Sequence, residues 1–174
     1  MMNAAKYSAV DVLRDGRLIA IRGLRTDDRS DLLGAVERTS AQSLYRRFFG
    51  AKRDFSEKEI EFFVNVDFVN HVALVTTVET GDRTVIVGGG RYVIVRPGMA
   101  EVAFAVIDEY QGQGIGGALL RHLVAIARGA GLEKLIAEVL PDNIPMLKVF
   151  EKSGLRCTTR REGRVVHVTL RLSE

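Results

Sequence analysis

The 174 residues suit one domain with a sizeable core and are too few for two. With 47% apolar and 27% charged residues and a formal net charge of only +3, the composition excludes a disordered chain and demands no nucleic-acid partner. Cys157 is the only cysteine, the opening MMNAAKYSAVDVLRDGRL lacks an apolar signal segment, and no stretch nears the roughly 18 apolar residues of a membrane helix, so the expectation is a soluble, cytoplasmic protein without disulfide or membrane partner.

Residues 1–16 read as an N-terminal extension and 17–174 as a single domain. RDGRLIAIRGL follows the turn signal Asp15-Gly16 with alternation, predicting a first strand over 17–24. Thr26 or Asp27 caps a helix to about Thr39 with Leu32, Leu33 and Val36 on one face. SAQSLYRRFF predicts a second helix with Leu44, Phe48 and Phe49 inward, ended by Gly50. Ser56-Glu57-Lys58-Glu59 is a capping box opening a third helix with Ile60, Phe63 and Val64 inward.

HVALVTTVE, TVIVGGGRYVIV and MAEVAFAVI are β-branched runs joined by short turns at 80–83 and 96–98, as in antiparallel neighbours. A helix then runs to about Ala130, with Ile115, Leu119, Leu123 and Ala127 at one-turn spacing, and Gly131 closes it. KLIAEVL is a strand, 144–153 a helix, and LRCTTRR and RVVHVTLRL are strands joined at Glu162-Gly163. The order is β-α-α-α-β-β-β-α-β-α-β-β, a mixed α/β (α+β) fold with one parallel crossover.

The glycine stretch QGQGIGGALL occupies 111–120. Its spelling permits a dinucleotide loop, because Gly112, Gly114 and Gly117 satisfy G-x-G-x-x-G. A P-loop is excluded because Ala118-Leu119 follows Gly117 where Lys and Ser or Thr are required. The dinucleotide context is also absent. Asp108-Glu109-Tyr110-Gln111 separates the loop from its strand, antiparallel strands precede it, and the next strand ends Glu138-Val139-Leu140-Pro141 without the expected acid. Gln111, Gly114 and Gly116 spell Q-x-x-G-x-G at a helix start, where unpaired N–H groups and the helix dipole suit a pyrophosphate.

With this motif and element order, residues 17–174 resemble the GNAT (GCN5-related) N-acetyltransferases. Within them the chain is most similar to the acetyltransferase domain of Pat-type protein lysine acetyltransferases, through LRDGRLIAIRGLRTDD, SLYRRFF, GGGRYVI, AEVAFAVIDEYQGQGIGGALL, AEVLPDNIPMLKVFEKSGL and VVHVTLRL. The resemblance implies a mostly antiparallel sheet of about six or seven strands, splayed at an acyl-CoA site. It implies that Gln111, Gly112, Gln113, Gly114, Ile115, Gly116 and Gly117 hold the pyrophosphate of acetyl-CoA. Phe104, Ala105 and Val106 would offer an open strand edge to the pantetheine arm, and Asn143 would contact that arm. Direct transfer to an amine needs a general base, and Glu101, ten residues before Gln111 in an otherwise apolar strand, is similarly placed to the Glu of lysine-acetylating relatives.

Phe150 stands where many relatives have a Tyr acid. The implied acceptor is a protein lysine, such as one on an acyl-CoA synthetase. A small amine or amino acid, or a non-catalytic acyl-CoA sensor, is the alternative, and monomer or homodimer stays open. No fused sensing domain of the kind Pat-type proteins often carry is expected within this length.

Other conspicuous residues have plainer readings. Cys157, mid-strand without a nearby His, reads as a buried structural thiol. His71, His122 and His167 read as a strand-start, a helix-surface and a strand histidine, none spaced to hold a metal. Tyr45-Arg46-Arg47-Phe48-Phe49 reads as core aromatics with an arginine rim, and the resemblance places Arg46 or Arg47 where an acidic protein partner would pass. Gly88-Gly89-Gly90 predicts a bulge or a close backbone approach.

Overall fold

The computed structural model describes residues 3–48 and 55–173, with backbone only for Tyr45, Arg46 and Phe48. The expected Gly50 stop and Phe49 lie outside the described residues, as do the side chains of Tyr45, Arg46 and Phe48. Among the described residues eight strands form one sheet in the order β1-β2-β3-β4-β5-β6-β8-β7. They are β1 (Ser8–Val12), β2 (Leu18–Gly23), β3 (His71–Thr80), β4 (Arg83–Arg96), β5 (Met99–Val106), β6 (Lys134–Val139), β7 (Arg156–Glu162) and β8 (Val165–Arg171). The helices are α1 (Arg29–Glu37), α2 (Ala41–Phe48), α3 (Glu57–Val64), α4 (Ile115–Gly129) and α5 (Ile144–Glu151).

The strand absent from the sequence reading is β1. Its alternation is inverted, with Val10 and Val12 exposed while Asp11 turns toward α4, so period-2 logic finds no apolar face. It pairs with β2 from Ser8↔Arg22 to Val12↔Leu18, and Ala4 and Leu13 join the main core. Residues expected as an extension thus contribute an edge strand and core side chains.

The capping box opening α3 forms as expected. Ser56 Oγ accepts from the Glu59 N–H at 3.1 Å, and Glu59 Oε1 accepts from the Ser56 N–H at 3.1 Å. Ile115, Leu119, Leu123 and Ala127 of α4 are all buried, each large side chain contributing about 1.5–3 kcal/mol by leaving water. They pack on the sheet face formed by Ile19, Ile21, Leu74, Tyr92, Val102 and Leu135, with Phe150 of α5. The opposite face is a smaller cluster of Leu24, Ala73, Val75 and Ile86 against Ala35 of α1.

The glycines of β4 show both expected behaviours. The β3 register shifts between Thr76 and Thr77, so Val87 is an extra residue on β4. A Cβ on Gly90 would lie 2.7 Å from Phe104 Cδ1 and one on Gly88 3.3 Å from Ile115 Cγ2, so their absence lets β5 and α4 close onto β4.

Candidate active site

Where β5 and β6 part, the sheet opens. These strands, the only parallel neighbours among the described residues, pair over Met99↔Lys134 to Glu101↔Ile136, whereas Ala137 to Val139 pair with β8. A cleft of about 1220 Å³ runs along this gap, lined by Val102 to Ile107, the glycine loop, Asn143 and α1. Leu32, Leu33 and Val36 of α1 are only half-buried because their apolar face lines this cleft.

Strand alternation decides which main-chain groups face it. Ile107 N–H donates to Val87 C=O at 2.9 Å, one step beyond the register pair Gly88↔Val106. In an antiparallel ladder every second residue turns both polar groups to the same neighbour. Ile107, Ala105 and Ala103 therefore bond to β4, while Val106, Phe104 and Val102 direct N–H and C=O to the open side. The three-residue edge expected at 104–106 is thus two residues, Phe104 and Val106, and Ala105 is engaged by β4.

Past β5, the loop is shaped by Gly112 (φ 77°) and Gly114 (φ 99°), left-handed conformations that glycine takes without strain. A Cβ at Gly112 would meet only open space, so that side of the loop is free for a ligand. The first bond of α4 runs from the Ala118 N–H to the Gly114 C=O. The N–H groups of Ile115, Gly116 and Gly117 hence have no partner within the helix, although the Ile115 side chain is core. Gln113 offers its carbonyl to the Arg14 N–H at 3.3 Å. Gln111 is a brace: its amide donates to Val106 C=O at 3.0 Å and to Ser43 Oγ at 3.1 Å, tying β5 to α2. Asn143 caps α5 by accepting from the Met146 N–H at 3.4 Å, which leaves its amide donors unused by the cap.

Glu101 lies on the sheet face away from α4, beside the divergence. Its register partner on β6 is Ile136, so Glu138, two residues on, shares that face. The Glu101 side chain is exposed on this face, yet desolvation by the surrounding protein and then the neighbouring Glu138 push its carboxyl above the usual range, and the Arg47 guanidinium pulls the other way. Glu138 was not anticipated as a site residue; the β6 pairing that identifies it cannot be read from either strand alone.

On the same face of β4, Arg91 donates to Phe63 C=O at 3.1 Å and contacts His71 Nε2 at 3.0 Å. Burial and the Arg47 charge lower Arg91 to about 9, while burial and the Arg91 charge lower His71 to about 4. Arg14, Arg29, Arg47, Arg91, Arg121, Arg128, Lys148 and Lys152 line the cleft against a single acid, Glu138, among the described residues.

Phe150 is fully buried, its ring 6.1 Å from that of Phe104, and supplies no acid. His122 is not a surface residue: half-buried, it contacts Tyr7 Oη through Nδ1 and Asp11 Oδ2 through Nε2 at 2.7 Å. Cys157 is half-buried on the edge strand β7 rather than buried, and desolvation followed by Glu151 raises its thiol pKa, which disfavours the thiolate.

A family model described as the acetyltransferase (GNAT) family matches residues 38–155. The chain is 36% identical over 137 residues to Acetyltransferase Pat of Mycolicibacterium smegmatis, covering 72% of this chain and 40% of that protein. It is 32% identical over 145 residues to Acetyltransferase PA5475 of Pseudomonas aeruginosa, covering 78% of each. The solved GNAT domain of S. lividans PAT superposes with a TM-score of 0.85 at 36% identity, over 94% of this chain and 96% of that one. The chain therefore spans less than half of the M. smegmatis relative.

Proposed function

The chain belongs to the GNAT acetyltransferase family and is an acyltransferase, and from that premise we propose that it moves the acetyl group of acetyl-CoA directly onto a protein lysine, with Glu101 as general base. The carrying observation is the pair Glu101 and Glu138 on one sheet face, beside the strand edge where a thioester would lie.

A lysine ammonium has a pKa of about 10.4, so at neutral pH it must lose a proton before it can attack. Two carboxylates on one face attract the ammonium, and the raised pKa of Glu101 makes it a better proton acceptor than an ordinary surface carboxylate. Glu101 takes the proton directly or through one water. The amine nitrogen then bonds to the thioester carbon, whose oxygen is stabilised by a main-chain N–H of the open edge at Phe104 or Val106. The C–S bond breaks, the thiolate takes a proton from Glu101 or from water, and the attacking nitrogen sheds its second proton to the carboxylate so regenerated or to water; Phe150 carries no proton to give. The N–H groups at the start of α4 hold the pyrophosphate, and the amide of Asn143 meets the pantetheine arm. An acyl-CoA synthetase lysine is the favoured acceptor, by resemblance to Pat-type proteins.

The test is incubation of the protein with labelled acetyl-CoA and lysate of its own cells, followed by identification of the modified lysines. Label on protein lysines is expected, falling roughly 10²–10⁴-fold at neutral pH in Glu101→Gln and recovering as pH rises and the amine loses its proton unaided. Label only on small amines overturns the lysine acceptor. A Glu101→Gln variant with full turnover overturns the base.

A further inference from the structure

The turn between β1 and β2 lies on the glycine loop. Arg14, exposed at the tip of this turn, donates its main-chain N–H to Gln113 C=O at 3.3 Å and its Nη1 to Gly112 C=O at 3.3 Å. Its Nε is 3.9 Å from where a Cβ of Gly114 would stand. Arg17 fixes the other side of the turn, with Nη1 3.3 Å from Tyr110 Oη and its guanidinium carbon 4.8 Å from the Tyr110 ring centroid. Across the loop, Arg121 of α4 comes within 3.9 Å of the Cβ position of Gly117 and is 3.5 Å from Asp11 Oδ2. Two guanidiniums therefore flank the free N–H groups at the start of α4, and both line the cleft.

We propose that Arg14 is a donor-binding residue, a guanidinium that the N-terminal hairpin lays over the glycine loop to grip the pyrophosphate of acyl-CoA opposite Arg121. Gly112 and Gln113 expose carbonyls as well as N–H groups, and a bare loop would set those carbonyls against an anion. Arg14 occupies both carbonyls and presents its remaining donors outward. A guanidinium also matches phosphate oxygens two at a time, which a lysine does not. Residues 8–17 are then part of the donor site. The inference rests on the acetyl-CoA reading above.

The test is calorimetric binding of CoA and of dephospho-CoA, which lacks the ribose 3′-phosphate, to the wild type, Arg14→Gln and Arg14→Lys, with a thermal melt of each. Arg14→Gln is expected to weaken both ligands equally, by about tenfold, with Arg14→Lys in between. The main-chain bond to Gln113 survives in each variant, so the melts should coincide. Unchanged affinity in Arg14→Gln overturns the proposal, a loss confined to CoA overturns the pyrophosphate assignment in favour of the 3′-phosphate, and a loss matched by a lowered melt makes Arg14 merely structural. A wild-type chain that binds neither ligand sinks the acetyl-CoA reading itself, a different result from a wild type that binds and a variant that binds equally well.

Discussion

His71 shows how a single residue couples the site to stability. It is buried, its ring lies 4.8 Å from that of Phe62, and it contacts Arg91, which needs a neutral imidazole as acceptor. Burial and the Arg91 charge hold its pKa near 4, against 6.5 for an unperturbed imidazole. The sign follows from linkage: between these values the unfolded chain binds a proton that the folded chain refuses, so stability is full above about pH 6.5 and is lost as pH falls toward 4. At pH 5 the loss is about 2 kcal/mol relative to pH 7. Urea unfolding at the two pH values should show it in the wild type, and His71→Gln should remove most of the difference. An unchanged difference would move the acid sensitivity to the carboxylates.

At the level of elements, the open edge of β5 depends on a glycine in β4. The Phe104 ring lies over Gly90, where a Cβ would sit 2.7 and 2.9 Å from two ring carbons and 3.2 Å from Leu123 Cδ1. Gly90→Ala must move the ring or part the strands, at a cost of about 1–3 kcal/mol. The outward main-chain groups of Phe104 lie on the same segment, so kcat with acetyl-CoA should fall further than the melting temperature alone explains. Loss of stability with full activity would show that the edge tolerates the shift. The long β-branched runs, the box at Ser56 and the periodicity of α4 were legible because each is a local preference that tertiary packing reinforces. The glycine loop stands out as a motif, whereas Glu101 and Asn143 enter only through the family resemblance. What was not legible comes from pairings across the chain: β1 hides its strand pattern because Asp11 faces His122, Ala105 is removed from the edge by the β4 register, and Glu138 joins the site only once β6 is set beside β5. Gln111 is read from the sequence only as part of the glycine loop, and that its amide braces Val106 and Ser43 emerges only in the fold.

For the molecule as a whole, charge is sorted although the total is nearly balanced. A formal charge of +3 says little, yet the described lining of the cleft holds eight arginines and lysines against Glu138. Low-dielectric walls focus that field, and an acyl-CoA carries its charge at one end, on the pyrophosphate and ribose phosphate, while the thioester is neutral. The field should draw the nucleotide end toward Arg14, Arg121 and the start of α4, orienting the thioester toward Glu101 before contact. Salt then separates binding from chemistry. Exposed charges about a Debye length away are screened, whereas the proton transfer at Glu101 is a short-range event. Raising salt from about 50 to about 500 mM should therefore raise KM for acetyl-CoA by about tenfold and change kcat by less than about twofold. A KM that stays flat would mean that the lining cations are neutralised within the protein, and a kcat that falls in step would mean that salt acts on the acceptor or the chemical step.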